Sequence, residues 1–161
     1  MKRIAVIGAG KIGTAVSDML AGAGYEISLI DRDAGRLTGQ FGRAGISTQQ
    51  ADVADPAALS RALDGAFAVI SAAPYSLTAP IARAVRQVGA HYLDLTEDVA
   101  STRQVRALAD GAKQAFIPQC GLAPGFVSIV AADLSRRFDE LHDVRLRVGA
   151  LPRYPSNGLN Y

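Results

Sequence analysis

The sequence predicts a doubly wound α/β domain with a parallel sheet of about six strands. Short apolar, β-branched runs alternate with longer segments of helical period. The first run leads directly into a Gly-x-Gly-x-x-Gly turn at the mouth of an amphipathic segment. The 161 residues, 49% apolar and 20% charged, match one ordinary hydrophobic core and exclude a disordered chain.

The elements follow in order. Ile4 to Ile7 is a continuous apolar run, as a strand covered on both faces requires. A helix from Lys11 to Ala23 follows, with Gly24 suited to the left-handed residue after its end. Ile27 to Ile30 is the second strand, Ala34 to Arg43 the second helix and Ile46 to Gln50 the third strand. The helix from Pro56 to Leu63 starts with Asp55 as cap and proline at its first position. Ala66 to Ser71 is the fourth strand, and the helix from Leu77 to Val88 closes on Gly89. Tyr92 to Leu95, a helix from Ser101 to Gln114, and Ala115 to Pro118 complete the set.

After Pro118 the pattern changes. A helix from Phe126 to Phe138 precedes Asp143 to Gly149, where Val144, Leu146 and Val148 alternate with Arg145 and Arg147. Such alternation predicts a half-solvated strand, usually antiparallel. The expected division is a cofactor domain over 1–138 and, over 139–161, the beginning of a truncated α+β substrate or dimerisation domain, too short for a core of its own.

Charge and cysteine content remove several functions. The net charge of +2 comes from scattered basic residues, so no nucleic-acid partner is expected. Lysine occurs only at Lys2, Lys11 and Lys113, which restricts amine-based catalysis. The single cysteine, Cys120, forms neither an internal disulfide nor a thiolate metal centre alone, so no metal site is expected and the chain reads as cytosolic. The opening Met1-Lys2-Arg3 imitates a signal peptide, but Gly8, Gly10, Lys11 and Gly13 break the apolar stretch. No apolar run reaches the ~20 residues of a membrane span. A cytoplasmic protein without membrane attachment is expected.

In Gly8-Ala9-Gly10-Lys11-Ile12-Gly13, Gly8 permits a tight turn, Gly10 lets a pyrophosphate approach the backbone, and Gly13 lets the helix pack closely on its strand. This is the dinucleotide fingerprint of a Rossmann domain; the alternative is a set of packing glycines with no ligand. Asp31 ends the second strand where a carboxylate accepts hydrogen bonds from the adenosine ribose, which favours NAD. Arg32 beside it leaves NADP open. Asp31 could instead cap the following helix, a role Asp33 could equally fill.

Ligands of such sheets lie beyond the carboxyl ends of the strands. Those tails carry Asp52 and Val53 for adenine, then Ala72, Ala73 and Pro74, then Cys120 where the nicotinamide ring should lie. Cys120, Tyr75 and Glu97 are the catalytic candidates, with ring contact, a pocket wall and helix capping as their respective alternatives. Capping is also the reading for Asp94 and Asp98. His91 begins a strand at the opposite edge and is read as structural. Neither Tyr-x-x-x-Lys nor a triphosphate-binding G-x-x-x-x-G-K-[ST] loop occurs.

Gly8 to Gly13, His91-Tyr92-Leu93-Asp94-Leu95-Thr96-Glu97 and Pro118-Gln119-Cys120-Gly121-Leu122-Ala123-Pro124-Gly125 together resemble the saccharopine dehydrogenase-like family, nearest its lysine dehydrogenase branch. Gly149-Ala150-Leu151-Pro152 and Tyr154-Pro155-Ser156-Asn157-Gly158-Leu159 extend the resemblance. It implies hydride transfer between nicotinamide and the amine-bearing carbon of an amino acid such as lysine or saccharopine. It also implies cofactor contacts at Gly8, Gly10, Gly13, Asp31, Ala73, Pro74 and Cys120 to Gly125. A homo-oligomer built through the second domain is expected because the unpaired strand edges of Asp143 to Leu159 invite partners. Family members are much longer, so this chain is expected to be a fragment that binds cofactor but is weak or inactive alone. The competing class is a non-catalytic NAD(H)-sensing module; the Cys120 to Gly125 turn favours the enzyme.

Overall fold

The computed structural model describes residues 1–149. Its elements are β1 (Arg3–Ile7), α1 (Lys11–Gly22), β2 (Glu26–Asp31), α2 (Ala34–Thr38), β3 (Ile46–Gln50), α3 (Pro56–Leu63), β4 (Ala68–Ser71), a 3₁₀ turn (Tyr75–Leu77), α4 (Thr78–Val88), β5 (His91–Asp94), α5 (Val99–Ala109), β6 (Phe116–Ile117) and α6 (Phe126–Ser135). The strands form one parallel sheet in the order β3-β2-β1-β4-β5-β6. The chain runs out to one edge, returns beside β1 and continues outward, so strand order reverses between β1 and β4.

The alternate side chains of β1 serve two cores. Ala5 and Ile7, with Val69 and Tyr92, pack against Leu59 of α3, Ile81 and Val85 of α4 and Val105 of α5. On the other face Ile4, Val6, Ile27 and Leu29 join Ala9 and Leu37. Full burial of aliphatic side chains of this size favours folding by about 1.5–3 kcal/mol each, which fixes the central strands and hence the position of their tails.

The local signals for helix ends hold at several places. Asp55 caps α3 by accepting from Ala57 N at 2.9 Å, and Gly24 and Gly89 adopt φ of 86° and 73°. Other boundaries differ from expectation. α2 stops at Thr38 because Gly39 follows and Gly42, at φ 75°, turns the chain away. α5 starts earlier than Ser101, since Asp98 caps it by accepting from Ser101 N at 2.7 Å, and it ends before Gly111 at φ 66°. The stretch from Asp143 to Gly149 is exposed and forms no strand. Alternation specifies which face a strand buries, but a strand also requires a partner, and none pairs with it among the described residues.

α6 has no buried residue. No helix among the described residues is long and apolar enough to cross a membrane. The motif residues Ala150 to Tyr161 lie outside the described residues.

Candidate functional site

The tails of β1 to β4 converge on a groove of about 500 Å³, bounded by Gly8 and Gly10, by Asp31 and Arg32, by Asp52 and Val53, and by Ala72, Ala73 and Pro74. The three fingerprint glycines differ in what surrounds them. Gly8 adopts φ 100°, and a Cβ there would stand 2.9 Å from the Ala72 carbonyl oxygen. A Cβ on Gly13 would collide with the Gly8 carbonyl oxygen. Both are therefore required by the protein's own packing. Gly10 is extended at φ −80° and a Cβ would meet nothing within 4 Å. Open space faces it, as a backbone surface approached by a ligand requires.

Gly10 also provides no side-chain cap to α1, so the first amides of that helix keep their capacity to bind an anion. Lys11 is exposed and lines an adjoining depression with Thr14 and Arg36. Ile12 is half-buried and borders neither space.

Asp31 is held in place. Its Oδ2 accepts from Ala9 N at 2.7 Å, and its Oδ1 accepts from Asp33 N at 2.9 Å. Asp33, not Asp31, caps α2 by accepting from Gly35 N at 2.8 Å, which removes the capping alternative for Asp31. Arg36, which pattern reading overlooked, places its guanidinium 3.9 Å from the Asp31 carboxylate and lines the groove. Its signal was positional: one turn into a short helix that begins just beyond Asp31. Ser76 and Leu77 were also missed as lining residues. Asp52 accepts from Ala54 N at 2.9 Å, and Val53 is buried in the groove wall.

The catalytic candidates do not line this groove. Tyr75 is 65% exposed, with its carbonyl accepting from Ser101 Oγ at 3.4 Å. Glu97 is exposed. The Cys120 thiol donates to the Ile117 carbonyl at 3.1 Å, and burial, then the Asp94 carboxylate, push its pKa up, opposite to what an activated nucleophile needs. Capping proves right for Asp98 but not for Asp94, whose Oδ1 accepts from Thr96 N at 3.0 Å and Gln119 N at 3.1 Å. His91 is structural: its Nδ1 accepts from Ala115 N at 3.0 Å and its ring lies 4.8 Å from that of Phe67.

Known proteins share this architecture. Saccharopine dehydrogenase (L-Glu forming) from Saccharomyces cerevisiae superposes with a TM-score of 0.74 at 19% identity, over 84% of this chain and 31% of that one. A short-chain dehydrogenase/reductase from Veillonella parvula, solved with NADP, gives a TM-score of 0.57 at 18% identity, over 72% of this chain and 67% of that one. A nucleoside-diphosphate-sugar epimerase from Pseudomonas aeruginosa gives 0.51 at 26% identity, over 58% of this chain and 32% of that one. This chain thus spans about a third of the yeast enzyme's length. The sequence model of the saccharopine dehydrogenase NADP binding domain matches residues 4–117. The chain belongs to that family, as a nicotinamide-dinucleotide-binding module of the oxidoreductase type.

Proposed function

We propose that residues 1–138 form the cofactor domain of an oxidoreductase acting on the C–N bond of an amino acid, lysine or a saccharopine-like secondary amine. Residues 139–161 would begin its substrate and dimerisation domain. The observation that carries the cofactor assignment is the open space over Gly10, between two glycines that packing alone explains. Gly10 and the first amides of α1 would hold the pyrophosphate, Asp31 the adenosine ribose, and Asp52 and Val53 the adenine. Ala72, Ala73 and Pro74 would lie along the path to the nicotinamide. The bound dinucleotide supplies hydride acceptance or donation; the protein supplies position and shields that centre from water. The amino-acid substrate rests on the motifs around Asp94 and Cys120 and on the family to which the chain belongs.

NAD is preferred in this reading. The family's description names NADP, and Arg32 and Arg36 stand where a 2′-phosphate would need cations. Against them, two amides hold the Asp31 carboxylate where it would repel an added phosphate. Fluorescence titration should show NADH binding more tightly than NADPH, and D31S should narrow or reverse the gap. Equal affinities in the unaltered chain would refute the role given to Asp31.

A second reading, an NAD(H)-sensing module without chemistry, is favoured by one observation: Cys120, Tyr75 and Glu97 all lie outside the groove. A longer protein containing this domain, assayed with lysine and NAD, separates the two. Turnover supports the enzyme; tight binding without turnover of any amino acid supports the sensor.

A further inference from the structure

Asp94 is 1% exposed, yet no cation neutralises its carboxylate among the described residues. A buried carboxylate is unfavourable unless hydrogen bonds hold it. Here the bonds lead to one place. β6 is short, and its ladder to β5 ends at the Leu93–Ile117 pair. Beyond that point Asp94 takes over the pairing: its carbonyl accepts from Cys120 N at 2.7 Å and its Oδ1 from Gln119 N at 3.1 Å. The same Oδ1 accepts from Thr96 N at 3.0 Å, joining the turn after β5 to the segment after β6.

That segment bends sharply. Gln119 adopts φ 65°, a conformation that non-glycine residues rarely adopt without local support. The turn beyond it closes on itself, with a bridge between Gly121 and Gly125 and a bond from Phe126 N to the Gly121 carbonyl at 2.9 Å. Beneath it, Asp94 Oδ2 and the Tyr92 hydroxyl are buried without a partner. The Asp94 carboxylate, Ser71 and Thr78 surround that hydroxyl, and all four side chains are buried away from solvent.

We propose that Asp94 is a positioning residue: it clamps Gln119 and Cys120 to the tail of β5 and so holds the Gly121–Gly125 turn outside the groove, on the wing of the sheet beyond Ala72 to Pro74 toward which the nicotinamide would extend. This rests on reading the groove as a dinucleotide site. The adenosine half would lie over the tails of β1, β2 and β3, whereas the clamp acts on the other wing of the sheet. Its loss should therefore remove affinity that comes from the nicotinamide and leave that of the adenosine half intact.

The test compares NADH with ADP-ribose binding to the 161-residue chain and to D94N and D94A. In D94N the amide oxygen still accepts from Thr96 and Gln119. The unaltered chain should bind NADH more tightly than ADP-ribose, D94N should keep that ratio, and D94A should lower it by about tenfold with ADP-ribose affinity unchanged. An unchanged ratio in D94A, a ratio D94N fails to rescue, or equal binding of both ligands by the unaltered chain would overturn the clamp alone. Binding of neither ligand would overturn the groove reading and the clamp with it. Should D94A not fold, hydrogen exchange in the unaltered chain decides: the Gln119 and Cys120 amides should be as protected as those of β5, and exchange as fast as at exposed Glu97 would refute the clamp.

Discussion

A methyl group separates the fingerprint glycines. At Gly13 a Cβ enters the space of the Gly8 carbonyl oxygen, so G13A must shift helix or loop, an overpacking that typically costs about 1–3 kcal/mol. At Gly10 a Cβ meets nothing, and the extended backbone there suits a β-branched residue. G10V should change unfolding free energy by no more than about 0.5 kcal/mol while weakening NADH binding at least about tenfold by occupying the pyrophosphate's place. Denaturant melts and fluorescence titration of the two variants check both halves. If G10V unfolds as easily as G13A, the glycines are all packing residues and the ligand assignment fails. The Gly-x-Gly-x-x-Gly pattern already gave the three glycines separate roles, but spacing alone left open that all three are packing residues with no ligand. What separates them is what the fold sets against each: the Ala72 carbonyl oxygen beside Gly8, the Gly8 carbonyl oxygen beside Gly13, and open space beside Gly10.

At the scale of elements, helix boundaries were legible where the signal is local: Asp55 with Pro56 at the start of α3, and Gly89 at the end of α4. What escaped depends on distant partners. Asp94 reads as one more acidic cap because its partner Gln119 is 25 residues away. The run from Asp143 to Gly149 reads as a strand because alternation says nothing about whether a neighbour exists. Capping at α5 gives a pH prediction. Ser101's hydroxyl and backbone amide lower the Asp98 carboxyl below its ordinary 3.8. A depressed carboxyl stabilises the fold fully above its unfolded value and loses that contribution as pH falls through the folded one. D98A should therefore melt below the unaltered chain at neutral pH, with the gap narrowing under pH 3.8 as the unaltered chain protonates Asp98 and loses the charged cap that D98A already lacks. Parallel thermal melts at the two pH values measure this, and a gap that persists in acid would mean the cap works without its charge.

Across the whole molecule, the parallel order of strands was readable because each βαβ unit carries its own pattern, and the reversal between β1 and β4 then fixes where a groove can form. The same architecture distributes burial unevenly. Leu59 in α3 is 1% exposed at the centre of one core, while in α6 Phe126 is 59%, Ile129 70% and Leu134 46% exposed. Those three, with Val130, repeat at helical spacing, so α6 presents an apolar face that the described sheet does not cover. This is the behaviour expected if α6, the last helix of the proposed cofactor domain, turns its apolar face toward the proposed second domain. It makes stability a test of allegiance. L59A should cost about 2–5 kcal/mol through lost burial and a residual cavity, whereas I129Q should alter unfolding free energy by less than about 0.5 kcal/mol because its side chain is already in water. Urea denaturation of both variants measures the difference. If I129Q proves as damaging as L59A, α6 is packed in solution against the sheet domain, and assigning its apolar face to a second domain is wrong.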